Sequence, residues 1–331
     1  MIENYIIYDW ITFTSKIHSP SSIIDFLGLH DVNFESRKGM YYYRDRLFFG
    51  GISINYNGLE DKNMGICVEI SGKGCRTWEK YGNSDYYKLF SEILENYSDN
   101  PDKRDMNITR IDIAYDDFNN VLDLPLLCME TQYHNYVSRF KDWQVINGNK
   151  GIAVTHGSNK SNVYIRIYDK RLEQKVEKNI PHWVRCEIQI RKECALGFIK
   201  LKDSIEKNYF TTLNYYLRYI VPTNNETNSS MLDTAPHWLR FIESAESKSI
   251  FCKPADTYSF GKLHGYVNNQ LSGAISTYID VVGVDQFLID INNSQKGKKL
   301  NPKYQDILKS NDCAEQHGAN ILKYLEEKIL K

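Results

Sequence analysis

The chain has 331 residues, 42% of them hydrophobic, and a net charge of −1. That is enough apolar material for one large domain or two ordinary ones, and the apolar runs are too short for membrane spans. Seven cysteines, an odd number with no C-x-x-C pair, argue against a disulfide framework or a structural zinc site and are expected as reduced, mostly buried thiols.

Near-neutrality argues against a generic polyanion binder, because phosphate contacts draw on Lys and Arg. The average hides a basic segment: residues 139 to 200 hold 13 Lys or Arg against 6 Asp or Glu, an excess of +7 that leaves −8 elsewhere. Nucleic acid, if bound, is expected there, although a solvated basic face has the same composition. The N-terminal MIENYIIYDW lacks a basic n-region and a small-residue cleavage site, so the expected location is cytoplasmic.

In chain order, IIYDWITFT (6 to 14) reads as a strand. Simple alternation puts Asp9 on the face of Ile7, Ile11 and Phe13, either as a turn-facing surface carboxylate or as a buried one with a partner. MYYYRDRLFF (40 to 49) and GISINYN (51 to 57) form a hairpin, and GICVEIS (65 to 71) is a further strand ended by Gly72 and Gly74. Apolar residues at helical spacing then predict one helix over 76 to 97. NITRIDIAYDDF (107 to 118) is a strand, followed by a helix from Leu124 to Tyr133 and strands near 143, 152, 163 to 169 and 183 to 190. Helical patterns follow at 202 to 220, 236 to 246, 264 to 291 with a break, and 303 to 330, with linkers PTNNETNSS (222 to 230) and NSQKGKKLNPK (293 to 303). The expected fold is α+β: a central antiparallel sheet with flanking helices, followed by a helical C-terminal part. The expected division is a catalytic sheet domain at 1–200 and a helical region at 201–331 for DNA binding, packing or oligomerisation.

Three strands share a pattern. Arg110, Asp112 and Asp116 oppose Ile111, Ile113 and Tyr115; Tyr164, Arg166, Tyr168 and Lys170 oppose Ile165 and Ile167; Arg185, Glu187, Gln189 and Arg191 oppose Cys186, Ile188 and Ile190. An antiparallel sheet covered on one side and wet on the other gives this alternation. So does a phosphodiester-cutting centre, if the strands are neighbours. Asp112, Asp116 and Glu187 are hard oxygen donors suited to Mg²⁺ or Mn²⁺. Arg166, Arg185 and Lys170 can pair with phosphate oxygens, and Tyr168 would be the nucleophile. A phosphotyrosine bond conserves the phosphodiester and leaves a free 3′-OH. With 24 tyrosines in the chain, a rim or packing role for Tyr168 is the competing reading.

GSNKSNVYIRIYDKRLEQ (157 to 174) resembles the replication initiation factor family, which comprises rolling-circle initiators of small plasmids and some phages together with relaxases of conjugative elements. The resemblance extends to TRIDIAYDDF (109 to 118) and WVRCEIQIRK (183 to 192), and towards the N-terminus to YDWITFT (8 to 14) and GICVEISGKGCRTWE (65 to 79). It implies an origin-specific nickase with Tyr168 as the nicking residue, assisted by Arg166, Lys170 and Arg185. It also implies a divalent metal, Mg²⁺ or Mn²⁺, on Asp112, Asp116 and Glu187. No His–hydrophobic–His triplet occurs, and His156, His182 and His237 are isolated, so the implied metal site is carboxylate-rich. The implied partner is single-stranded or hairpin origin DNA; a host helicase and a second copy of the chain are further candidates, and no membrane is expected. The alternative is a non-enzymatic DNA-binding regulator on the same scaffold, with Trp183 and Tyr164 available to stack on bases.

Overall fold

The computed structural model describes residues 3–59, 64–148, 151–176, 180–222, 231–242, 263 and 266–296. The expected helix at 303–330 and most of the two expected linkers lie outside them. Two compact units result, Met1–Lys253 and Pro254–Lys331.

The first unit opens with β1 (Tyr5–Ser15), α1 (Pro20–Phe26), β2 (Glu35–Lys38), β3 (Tyr43–Phe49), β4 (Ile52–Gly58) and β5 (Ile66–Ile70). α2 (Gly72–Tyr81), α3 (Tyr86–Glu95), β6 (Met106–Asp117), α4 (Leu124–Gln132), β7 (Tyr136–Ser138), β8 (Trp143–Gly148) and β9 (Gly151–His156) follow. The unit continues through β10 (Val163–Asp169), α5 (Lys170–Gln174), β11 (Val184–Arg191), α6 (Lys192–Ile199), α7 (Ile205–Tyr216), β12 (Leu217–Tyr219) and α8 (Pro236–Ile242). In the second unit, α9 (Ser272–Val282) and α10 (Val284–Gln295) are joined at Gly283, whose φ of 84° suits glycine.

The fold is α+β, as expected. Ten strands form one sheet in the order β2-β3-β4-β5-β1-β6-β11-β10-β9-β8, every neighbouring pair antiparallel, and β7 with β12 forms a small second sheet. The apolar halves of the alternating strands, including Ile11, Phe13, Ile111, Ile113, Ile165, Ile167, Ile188 and Ile190, are buried in the core with residues of α3, α6, α7 and α8. Tyr115 shows the packing: its ring lies against Tyr209, Phe210 and Phe241.

Two helices depart from expectation. The run at 76 to 97 is divided, because the chain turns at Gly82 and Ser84 (φ 46°) and Asp85 caps a new helix by accepting from the Lys88 amide. The pattern at 202 to 220 stops as helix at Tyr216; Leu217–Tyr219 pairs as a strand with β7. The cysteines at 67, 75, 128, 186 and 194 are buried and free, as expected. No described helix is long and apolar enough to cross a membrane.

Candidate active site on the polar face of the sheet

The strands carrying the polar alternation are neighbours, β1, β6, β11 and β10, and their register sets three rows across the sheet. Tyr168, Arg185, Asp116 and Tyr5 make the first; Arg166, Glu187, Ala114 and Ile7 the second; Tyr164, Gln189, Asp112 and Trp10 the third. The centre of this face is not wet. Asp112, Asp116, Arg185, Glu187 and Gln189 are all buried, Asp116 completely.

Charges buried this way need partners, and each has one. Asp116 accepts from Arg185 Nε (2.7 Å) and Nη2 (2.6 Å) and from the Trp183 indole (2.7 Å). Asp112 accepts from Arg110 Nε (2.9 Å) and Nη2 (2.5 Å) and from Gln189 (3.2 Å). Glu187 accepts from Arg166 (2.6 Å) on one oxygen and from the Tyr168 hydroxyl (3.1 Å) on the other. The Arg110 guanidinium also lies 4.2 Å from the Trp10 ring centre.

Tyr168 sits at a strand-to-helix change. Asp169 closes β10 and caps α5, accepting from the amides of Arg171 and Leu172, while the Lys170 amide donates to Trp183 O at 3.0 Å. Lys170 Nζ is thereby placed 3.4 Å from the Tyr168 hydroxyl and pairs with Glu173. Burial, and after it the Glu187 charge, push the Tyr168 phenol well above the ordinary tyrosine range against the smaller pull of Arg185 and Arg166. The resting phenol is therefore neutral, with a carboxylate oxygen positioned to receive its proton.

Asp9 was not resolvable from alternation because β1 contains a bulge between Tyr8 and Trp10. Tyr8 pairs with Ile113 on the apolar side and Trp10 with Asp112 on the polar side, so the two halves of the strand are out of phase. Asp9 Oδ2 meets Arg185 Nη1 at 3.0 Å, which makes it the buried carboxylate with a partner; desolvation pushes its pKa upward despite Arg185. Also unforeseen were the Trp183–Asp116 hydrogen bond and the Lys170–Glu173 pair. The isolated histidines have structural partners: His156 is buried against the Tyr219 hydroxyl (3.3 Å), His182 meets Asp117 (3.2 Å) and His237 meets Glu130 (3.1 Å).

Asp112 and Asp116 stand four residues apart on β6 with Ala114 between them, roughly 13 Å by strand rise. A Mg²⁺ ion holds its oxygens at about 2.1 Å. Each of the three carboxylates is already bonded to a guanidinium, and among the described residues no group of three His, Cys, Asp or Glu side chains is placed to hold a metal. As they stand, Asp112, Asp116 and Glu187 do not fit one metal centre.

Sheet and site together define an α+β protein with a tyrosine set among arginines and carboxylates on a buried polar face. The model for "Replication initiation factor" matches residues 106–289, more than half of the chain, and that for "Rolling Circle replication initiation protein N-terminal domain" matches 5–92. The chain belongs to the replication initiation factor family. The Bacillus subtilis (strain 168) protein named "Putative DNA relaxase NicK" is 25% identical over 295 residues, 82% of this chain and 80% of that one. A solved rolling circle replication initiator protein from Geobacillus stearothermophilus has 25% identity and a TM-score of 0.64, covering 73% of this chain and 96% of its own. The two family matches are separated by residues 93–105, and β1 of the first pairs with β6 of the second.

Proposed function

We propose that this protein is an origin-specific DNA nickase that attacks one strand with Tyr168, forms a 5′-phosphotyrosyl bond and frees a 3′-OH, starting rolling-circle replication of a phage or plasmid or conjugative transfer. Family membership supports the nicking chemistry, and one observation carries the residue assignment: the Tyr168 hydroxyl donates to Glu187 with Lys170 beside it and Arg166 on the other carboxylate oxygen. In the step, the phenol oxygen bonds to phosphorus, its proton passes to Glu187, and the bond from phosphorus to the 3′ oxygen breaks. Lys170 Nζ gives a proton to the departing oxygen, which leaves as the 3′-OH. Arg166 neutralises the charge that builds on the non-bridging oxygens, and Arg185, bonded to Asp116 and Asp9, adds its positive field from the neighbouring strand.

A divalent metal, Mg²⁺ or Mn²⁺, is what the family implies, although Asp112, Asp116 and Glu187 as they stand do not fit one centre. The substrate is single-stranded or hairpin origin DNA in the cytoplasm. A host helicase and a second copy of the chain are proposed as further partners. In the proposed division, residues 1–200 form the catalytic sheet domain and 201–331 a helical region for DNA binding, packing or oligomerisation. The second reading is a non-enzymatic DNA-binding regulator on the same scaffold, favoured by the engagement of Asp112, Asp116 and Glu187 with guanidinium groups.

Incubation with labelled origin oligonucleotide and Mn²⁺, then denaturing electrophoresis beside Tyr168→Phe and an EDTA control, separates the readings. The expected result is a slow-migrating adduct absent from the variant. An adduct persisting in Tyr168→Phe moves the nucleophile elsewhere, and tight binding with no adduct selects the regulator.

A further inference from the structure

Trp183, Phe118 and Tyr5 follow one another across the ends of β11, β6 and β1, on the polar face and at the end of the sheet where Tyr168 lies. Trp183 is two residues before Arg185 and Phe118 two after Asp116, while Tyr5 pairs with Asp116, so all three share the face of the first row. Phe118 and Trp183 have ring centres 5.3 Å apart at 29°, and Tyr5 and Phe118 5.7 Å apart at 35°. Trp183 is thus stacked on Phe118, and Tyr5 is tilted against Phe118 from β1.

None of the three belongs to the hydrophobic core or to the partly buried side chains packed against it, whereas the stacked pair Tyr115–Tyr209 does. Tyr5 is 42% exposed. Large aromatics held outside a core, Tyr5 exposed and Phe118 and Trp183 partly so, are candidates for recognition. They are also fixed in place. The Trp183 indole is tied to Asp116 and its carbonyl to the Lys170 amide. The Phe118 amide donates to Asn4 Oδ1 (2.7 Å), and Asn4 in turn donates to the Tyr115 hydroxyl (2.8 Å).

Charge sharpens the argument. The charged groups on this face are Asp9, Asp112, Asp116, Glu173 and Glu187 against Arg110, Arg166, Lys170, Arg185 and Arg191, five acids to five bases, a balance of zero. Such a face does not draw a phosphate backbone by net charge. Affinity for a strand must then come from its bases, and stacking on aromatic rings is the interaction available to any unpaired base.

We infer that Tyr5, Phe118 and Trp183 form a stacking platform for unpaired bases of a single DNA strand, laying the strand across β1, β6 and β11 so that a phosphate arrives at Tyr168. The inference rests on the nickase reading for its ligand. Its test uses full-length protein carrying Tyr168→Phe, so that nothing is cut, and fluorescence anisotropy with two probes of about twelve units, oligothymidylate and an abasic phosphodiester strand of equal length and charge. Tyr5→Leu is the main variant, since Tyr5 is exposed and its truncation spares the fold; Phe118→Leu and Trp183→Leu follow, with thermal unfolding as the check. Oligothymidylate is expected to bind more tightly than the abasic strand. Each variant is expected to lose roughly five- to hundredfold for oligothymidylate and nothing for the abasic strand. Equal binding of the two probes, or variants that weaken both alike, overturns the platform while leaving the nickase intact. Binding of neither probe overturns the DNA reading and the platform with it.

Discussion

Tyr168 and Arg185 stand opposite one another across the β10–β11 ladder, and the guanidinium of Arg185 is committed to Asp116 on β6 and Asp9 on β1. One buried cation thus ties the strand next to the phenol to the two strands beyond it. Removing it leaves Asp116, fully buried, with a charge and only the Trp183 indole to answer it. Arg185→Ala is expected to cost about 3–5 kcal/mol in urea unfolding, and Arg185→Lys to recover less than half of that, because an ammonium cannot bridge two carboxylates with a planar fork. A cost under about 1 kcal/mol for the alanine variant would show that the cluster is not held by this residue.

Arg166 differs in position and so in expected effect. Its side chain is 39% exposed and shares Glu187 with the phenol. Glu187 is buried, but the substituted amide can still donate to it, so Arg166→Gln is expected to cost about 1–2 kcal/mol, well below Arg185→Ala. Strand cleavage should slow by about 10²–10³-fold through lost charge neutralisation at the phosphate. Paired denaturation and single-turnover measurements distinguish this from a structural role, which would move both together.

Gly72 opens α2 against the bulge of β1. A Cβ there would lie 2.9 Å from Asp9 Oδ1 and 3.1 Å from the Asp9 carbonyl oxygen. Gly72→Ala is expected to push the carboxylate off Arg185 and cost about 1–3 kcal/mol. In an Asp9→Ala background much of that cost should vanish, since the closest atom is gone. A double-mutant cycle returning simple additivity would mean that the strain falls on the backbone alone.

His156 gives a pH signature away from the site. Burial pushes its imidazole down to about 3, and it is fully buried beside the Tyr219 hydroxyl. Between its unfolded value near 6.5 and that folded value, the unfolded chain binds the extra proton, so this residue's contribution to stability falls as pH falls, by up to about 1.4 kcal/mol per unit. His156→Gln is expected to remove that slope. The stability difference between wild type and variant, measured from pH 7 to pH 5, should shift steadily in the variant's favour; a constant difference would place the imidazole in contact with water.

Much of this architecture is legible in sequence because the central strands are regular. RIDIAYD, YIRIYDK and RCEIQIR alternate without interruption, and the β10, β11 and β6 members of the three rows share a face directly once the strands are neighbours. What escaped follows from geometry that alternation does not encode. A bulge changes the phase of β1 between Tyr8 and Trp10, so counting residues misplaces Asp9. Alternation also reports that two positions share a face without saying how far apart they lie, and Asp112 and Asp116 appear as partners although Ala114 separates them. Burial of the polar face comes from long side chains folding over it, Arg110 beside Trp10 and Arg185 beside Trp183, and depends on tertiary pairing. The edge strand Glu35–Lys38 is exposed throughout and shows no apolar period to read.

The long β1–β6 ladder joins two halves of the sheet that are contiguous in sequence, β1 to β5 before it and β6 to β11 after it. On the ribosome, the first half is complete when β1 still shows an open edge of unpaired amides and carbonyls, an invitation to strands of other chains until β6 emerges to occupy it. The Asp9–Arg185 bridge forms only after that seam closes, so the machinery around Tyr168 assembles last, once both halves have been made.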